Sequence, residues 1–160
     1  MMNRRLFLGA GFLSIAVLLF KDKKVIGAAS PIKTIELLQS DLFGYFANRS
    51  TIDYLENIIL NHSKISDQEK SFIRNGSRWL NESSIEKYQK PYIKLTKSQR
   101  EKLIKQISKT RWGDNWLYTI MGYLFEAILG DPIYGINQDE KGWKWLGFEP
   151  GLPRAKEAFL

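Results

Sequence analysis

Beyond position 30, apolar residues recur at intervals of three and four along nearly the whole chain, and no stretch sustains the strict alternation of a half-buried strand. The pattern predicts an all-α fold, a single compact domain of about five helices closed by an irregular C-terminal cap rich in aromatics and glycine. Ile32, Ile35, Leu38 and Leu42 outline a short first helix that stops near Gly44. Ser50 is placed to cap a second helix over 51–61 with Ile52, Leu55, Ile58 and Ile59 inward. Ser66-Asp67-Gln68-Glu69 reads as a capping box opening a third helix, which buries Phe72, Ile73, Trp79 and Leu80 and has a weak point at Gly76. Residues 83–88 either prolong that helix or form a separate turn. Pro91 forbids a helix at Lys90, after which Tyr92 and Leu95 are expected to dock as an extended clip.

A second capping box, Thr96 to Gln99, opens a helix reaching about 109 that turns Leu103, Ile104 and Ile107 inward. Its outer face would carry Lys97, Arg100, Lys102, Lys105 and Lys109. That face is a solvated surface braced by the Glu101–Lys105 pair, or a contact for an acidic partner or anionic lipid. The stretch 114–129 is the most apolar: Trp116, Ile120, Tyr123 and Ala127 line one face, and Leu117, Met121, Leu124 and Ile128 the next. A stripe that wide predicts a helix packed between others, with Glu126 meeting a basic group. Gly130-Asp131-Pro132 ends it.

Residues 1–29 follow a different logic. Arg4-Arg5-Leu6-Phe7-Leu8 leads into the uncharged apolar run 6–20, shorter than a comfortable bilayer span. Paired arginines followed by Leu-Phe-Leu resemble a twin-arginine export signal, with Arg4, Arg5, Phe7 and Leu8 as the residues read by the twin-arginine translocase. The chain thus divides into an address over 1–29 and a helical domain over 30–160, and is expected in the periplasm. Lys21-Asp22-Lys23-Lys24 precedes the small-residue site Gly27-Ala28-Ala29. Either the signal is cleaved after Ala29, or it is retained and holds the protein at the inner membrane.

The charge of +7 shrinks accordingly, because the address holds five basic residues and one acid, leaving 19 basic and 16 acidic groups, a net +3. That is an ordinary surface, and nucleic acid is not an expected partner. With no cysteine, disulfides, thiolate nucleophiles, cysteine-held metals, covalent haem and a lipoprotein anchor are excluded. The lone histidine, His62, falls at the end of the second helix, where a cationic ring complements the helix dipole. No phosphate-cradling glycine loop follows a strand, so no flavin or nicotinamide site is visible. Glu126, Asp131, Asp139 and Glu140 are the only carboxylates that suggest a hydrolytic pair. Asp131 reads better as a helix stop, and Asp139-Glu140-Lys141 as a solvated turn. No catalytic, cofactor or metal site is therefore assigned.

The tail runs Gly130-Asp131-Pro132-Ile133-Tyr134-Gly135-Ile136-Asn137, then Gly142-Trp143-Lys144-Trp145-Leu146-Gly147-Phe148. Its aromatics can stack on a sugar, anchor a protein interface, or close the domain's own core. The Asp131-Pro132-x-Tyr134-Gly135-x-Asn137 and Gly142-Trp143 elements, with the segment 90–103, resemble the gluconate 2-dehydrogenase subunit 3 family, although Ile136 stands where that family often has a second glycine. The resemblance implies a non-catalytic small subunit of an exported dehydrogenase for gluconate, another sugar or a polyol. FAD would reside in a large partner subunit of the glucose-methanol-choline type, and haem c in a multihaem cytochrome partner. The small subunit would escort the folded flavoprotein through the twin-arginine pathway and stabilise the complex. Asp131, Tyr134, Asn137, Trp143 and Trp145 are its expected partner contacts. The alternative is a stand-alone periplasmic carbohydrate-binding protein using the same tryptophans.

Overall fold

Local capping chemistry sets most helix starts. The computed structural model describes residues 30–44 and 48–158, and among these are six α-helices and no strand. They are α1 (Pro31–Phe43), α2 (Arg49–Asp53), which runs into a π-helical turn (Tyr54–Ile59), α3 (Asp67–Tyr88), α4 (Lys97–Ile107), α5 (Arg111–Leu129) and α6 (Lys141–Leu146). Arg4, Arg5, Phe7 and Leu8 lie outside the described residues. No described helix is long and apolar enough to cross a membrane.

At α4 both halves of the expected box form: the Gln99 N–H donates to Thr96 Oγ1 at 3.3 Å, and the Thr96 N–H donates to Gln99 Oε1 at 3.0 Å. At α3 only half does. Ser66 Oγ accepts the Glu69 N–H at 3.1 Å, but the Glu69 carboxylate accepts instead the phenol of Tyr123 from α5, at 2.5 Å. A tertiary hydrogen bond thereby replaces a local one. The cap of α2 is Asn48 rather than Ser50: its Oδ1 accepts the Thr51 N–H at 3.0 Å and the Ser50 hydroxyl at 2.6 Å. Thr110 caps α5 and starts it three residues before the expected position 114. His62 Nδ1 accepts the Lys64 N–H at 3.1 Å, so the ring closes the turn that follows the π-helical segment.

Helix α3 packs against both α1 and α5, and α5 in turn against α2, its π-helical turn and α4. Residues 83–88 prolong α3 to Tyr88, where Gln89 in the left-handed region ends it. Gly76 is where α3 and α5 meet. The Trp116 indole, fully buried, lies so close that a Cβ on Gly76 would sit 2.0 Å from its Cδ1, while its Nε1 donates to the Ile73 carbonyl at 3.1 Å. The expectation of a weak point at Gly76 is corrected: the missing side chain is the socket for the largest core residue.

A polar cluster joins α1, α4 and the turn between α3 and α4. Arg100 is not on the outer face of α4. Its guanidinium forks onto Asp41 of α1, with Nε to Oδ2 at 2.7 Å and Nη2 to Oδ1 at 2.8 Å, and Nη1 donates to the Leu95 carbonyl at 2.8 Å. Tyr92 donates its phenol to the same Asp41 Oδ2 at 2.7 Å. The Tyr92–Lys94 segment is a 3₁₀ turn and not an extended clip, and Tyr92 is wholly buried. Beside it Asn81 of α3 donates to Thr34 Oγ1 at 2.8 Å and to the Ser77 carbonyl at 3.0 Å, and accepts the Tyr92 N–H at 3.0 Å. These directional bonds set the register of three elements whose apolar faces alone would tolerate sliding.

Three outcomes follow from these contacts. Gly76→Ala is expected to destabilise by about 2–3 kcal/mol through overpacking, although alanine is the better helix former by ~1 kcal/mol; a stabilised variant in denaturant unfolding would overturn the socket. Arg100→Gln leaves the buried Asp41 carboxylate without its cation and should cost about 3 kcal/mol or more by the same measurement. Burial, and then the hydrogen bond to Asp41, push the Tyr92 phenol far above its ordinary value. The folded state therefore holds that proton more tightly than the unfolded chain, and its contribution is intact below about pH 10 and lost as pH rises beyond it. Above that pH the wild type should lose stability faster than Tyr92→Phe, by up to about 1.4 kcal/mol per pH unit; parallel curves would contradict the assignment.

Candidate partner interface

The C-terminal cap is built from the end of α5 outward. Asp131 Oδ1 accepts the Ile133 N–H at 3.0 Å, starting the 3₁₀ turn Pro132–Tyr134, and Gly135 takes φ 76° so that the chain can reverse. Ile136, where a second glycine was the family expectation, is buried and packs toward Gly130; a Cβ on Gly130 would meet Ile136 Cδ1 at 2.6 Å. Asn137, in the left-handed region at φ 45°, is the keystone of the cap. Its backbone N–H donates to Ala127 O at 3.0 Å, its Nδ2 to Gly130 O at 3.1 Å, and its Oδ1 accepts the Gly142 N–H at 2.8 Å. Helix α6 then lies against the end of α5. A Cβ on Gly142 would stand 2.1 Å from the Ile128 carbonyl oxygen, and Trp143 Nε1 donates to Leu129 O at 2.6 Å.

The five expected contact residues therefore separate. Asn137 and Trp143 are 5% and 7% exposed, their polar groups already used, so they are internal struts and not surface anchors. Phe148 packs edge-on against Trp143 at 5.4 Å, and the Arg154 guanidinium lies 5.0 Å from its ring centroid. No pair of open indole faces is left in the cap to receive a sugar. Asp131 and Tyr134 are half-buried, and Asp131 also accepts Arg154 at 3.1 Å, while Glu140 takes the other arm of that guanidinium at 2.8 Å. Trp145 is 59% exposed.

Trp145 stands with apolar residues that the periodicity did not single out. Leu146, Phe148 and Leu152 are 55%, 52% and 89% exposed. Four large apolar side chains within eight positions are each more than half open, and exposed apolar residues gathered in so short a segment make it the candidate interaction surface. The signal was present in the sequence as an excess: α6 is short, and Trp143 alone fills the inward position beside α5. Tyr118 of α5 is also 82% exposed.

A second feature adjoins the cap. The π-helical turn carries Tyr54 into a cleft of about 300 Å³ lined by Tyr54, Ile58, Glu126, Gly130, Asp131, Tyr134 and Ile136. Glu126 is exposed and, among the described residues, meets no basic group; it is the neighbour of the Tyr54 phenol, which burial and then hydrogen bonding to Glu126 raise well above its usual value. The Asp139–Glu140 segment is an exposed-to-half-buried turn with both residues at φ 57°. Among the described residues no three His, Cys, Asp or Glu side chains converge to hold a metal.

Neither a curated protein nor a solved structure matches the chain closely enough to count as a relative. The family model for gluconate 2-dehydrogenase subunit 3 matches residues 36–151, a span that begins in α1, takes in every later helix and includes the whole cap from Asp131 to Phe148. The chain belongs to the gluconate 2-dehydrogenase subunit 3 family.

Proposed function

We propose that this chain is a non-catalytic small subunit that escorts a folded FAD-dependent sugar or polyol dehydrogenase out of the cytoplasm and remains bound to it in the periplasm. The observation that carries the reading is the open apolar surface of Trp145, Leu146, Phe148 and Leu152, held out from the body by a cap whose own polar groups are satisfied internally. Exposing that much apolar surface costs solubility unless a partner covers it. The body supplies the surface, Arg4 and Arg5 supply the address, and the partner supplies the chemistry. A cofactor-loaded flavoprotein calls for a transporter of folded cargo, which accounts for both parts in one chain. A multihaem cytochrome would accept the electrons in the assembled complex. Family membership and the absence of a stacked indole pair in the cap favour this over a free-standing sugar binder.

The test is co-purification of the flavoprotein with the tagged full-length chain, read by its flavin absorbance. Trp145→Ser and Phe148→Ser should each weaken the complex by on the order of tenfold or more while leaving the helical spectrum unchanged. Replacing Arg4 and Arg5 by lysine should leave the complex intact but cytoplasmic. A monomer that carries no flavoprotein in any fraction would refute the proposal.

A further inference from the structure

The cleft beside the cap has the chemistry of a receptor for one kind of side chain. Its walls are apolar and aromatic: Tyr54 and Ile58 from the π-helical turn, Tyr134 and Ile136 from the cap. A second cleft of about 280 Å³ shares Tyr54, Ile58, Tyr134 and Ile136 with it and adds Asp53 and Gln138. The carboxylates along this surface are Asp53, Glu126 and Asp131, and among the described residues no Lys, Arg or His side chain lines either cleft. Asp53 is paired with Arg49 at 2.7 Å and Asp131 with Arg154 at 3.1 Å. Glu126 forms no ion pair among the described residues, and the Tyr54 phenol beside it contributes a proton and no charge.

We infer that this cleft receives an arginine side chain of the partner polypeptide, its stem along Ile58 and Ile136, its guanidinium against the Tyr134 ring and paired with Glu126. Charge selects the occupant: a carboxylate-bearing sugar acid would be repelled by Glu126, whereas a planar cation gains both from that carboxylate and from the Tyr134 ring. The chain's own tail shows the same recognition one step away, where Arg154 forks between Asp131 and Glu140 with its guanidinium over Trp143. The π-helical turn supplies two of the cleft's walls, Tyr54 and Ile58, while its Leu55 and Ile59 are buried in the core. Exposed ion pairs contribute little to affinity, but one set between aromatic walls fixes orientation and excludes wrong partners. The site would register the partner on a surface whose apolar tail supplies most of the affinity. It rests on the escort reading for the identity of the polypeptide, not for the chemistry of the cleft.

The test is a nuclear magnetic resonance titration of the full-length chain with capped tripeptides, Ala-Arg-Ala against Ala-Gln-Ala, and with sodium gluconate. The arginine peptide should shift the amides of Tyr54, Gly130 and Tyr134 saturably, and neither other probe should. Glu126→Gln, which keeps the shape and removes the charge, should weaken that binding about two- to fivefold, and Glu101→Gln on α4 should not. Equal shifts with the glutamine peptide, shifts confined to other surfaces, or an unchanged Glu126→Gln would overturn the inference. If the cleft binds the peptide while Trp145→Ser and Phe148→Ser leave the flavoprotein bound, the tail interface fails and the cleft stands.

Discussion

The close approach of Trp116 to Gly76 is the constraint on which the remaining packing depends. The indole fills the space where a Cβ would be, and its N–H takes the Ile73 carbonyl from the same stretch of α3, so both the distance and the rotation of α5 on α3 are set at one point. With that crossing placed, Ile73 and Leu80 on α3 meet Ile120 and Leu124 on α5 in a continuous core, and α1, α2 and α4 close round it. The glycine weakens the isolated helix and permits the assembled one, because the tertiary gain of seating a whole tryptophan exceeds the ~1 kcal/mol of lost helix propensity.

Around that crossing the molecule uses buried polarity for register. Asp41, Arg100 and Tyr92 satisfy one another, and Asn81 satisfies Thr34, Ser77 and Tyr92 in turn. An apolar replacement of similar shape would hold the same elements together without telling them where to stop. The cost of the arrangement is that each member depends on the others, since a single deletion strands a desolvated group. The same device recurs in the cap, where Asn137 ties the end of α5 to the start of α6 through three bonds.

That internal economy bears on function. Because Asn137 and Trp143 complete the cap, the surface around it is free to carry Trp145, Leu146, Phe148 and Leu152 outward without disturbing the fold. The turn formers Asp131, Gly135 and Asn137 and the inward Trp143 indole thus build the cap, and the neighbouring apolar residues lie on its outside. Beside it the π-helical turn and the cap enclose a cleft that neither element would form alone.

What was legible in the sequence is what depends on near neighbours. The three- and four-residue spacing settled the helical class, Thr96 and Gln99 announced the start of α4, Pro91 the break before it, and the Gly-Asp-Pro run the end of α5, each because its chemistry acts within a few positions. Even the family was legible, through turn residues that must keep fixed spacing to close the cap. What only the tertiary structure decided is how partners distant in the chain are shared. Arg100 looked solvated on its helical wheel until Asp41, fifty-nine residues away, reached it; Glu69 was pledged to a local cap until Tyr123 took it; and Gly76 read as a flaw until Trp116 arrived. Likewise the two tail tryptophans are alike in composition and opposite in burial, because α6 can turn only one face to α5. A residue's own type and its neighbours state which bonds it can make; which bond it does make is settled by the competitor that folding brings closest.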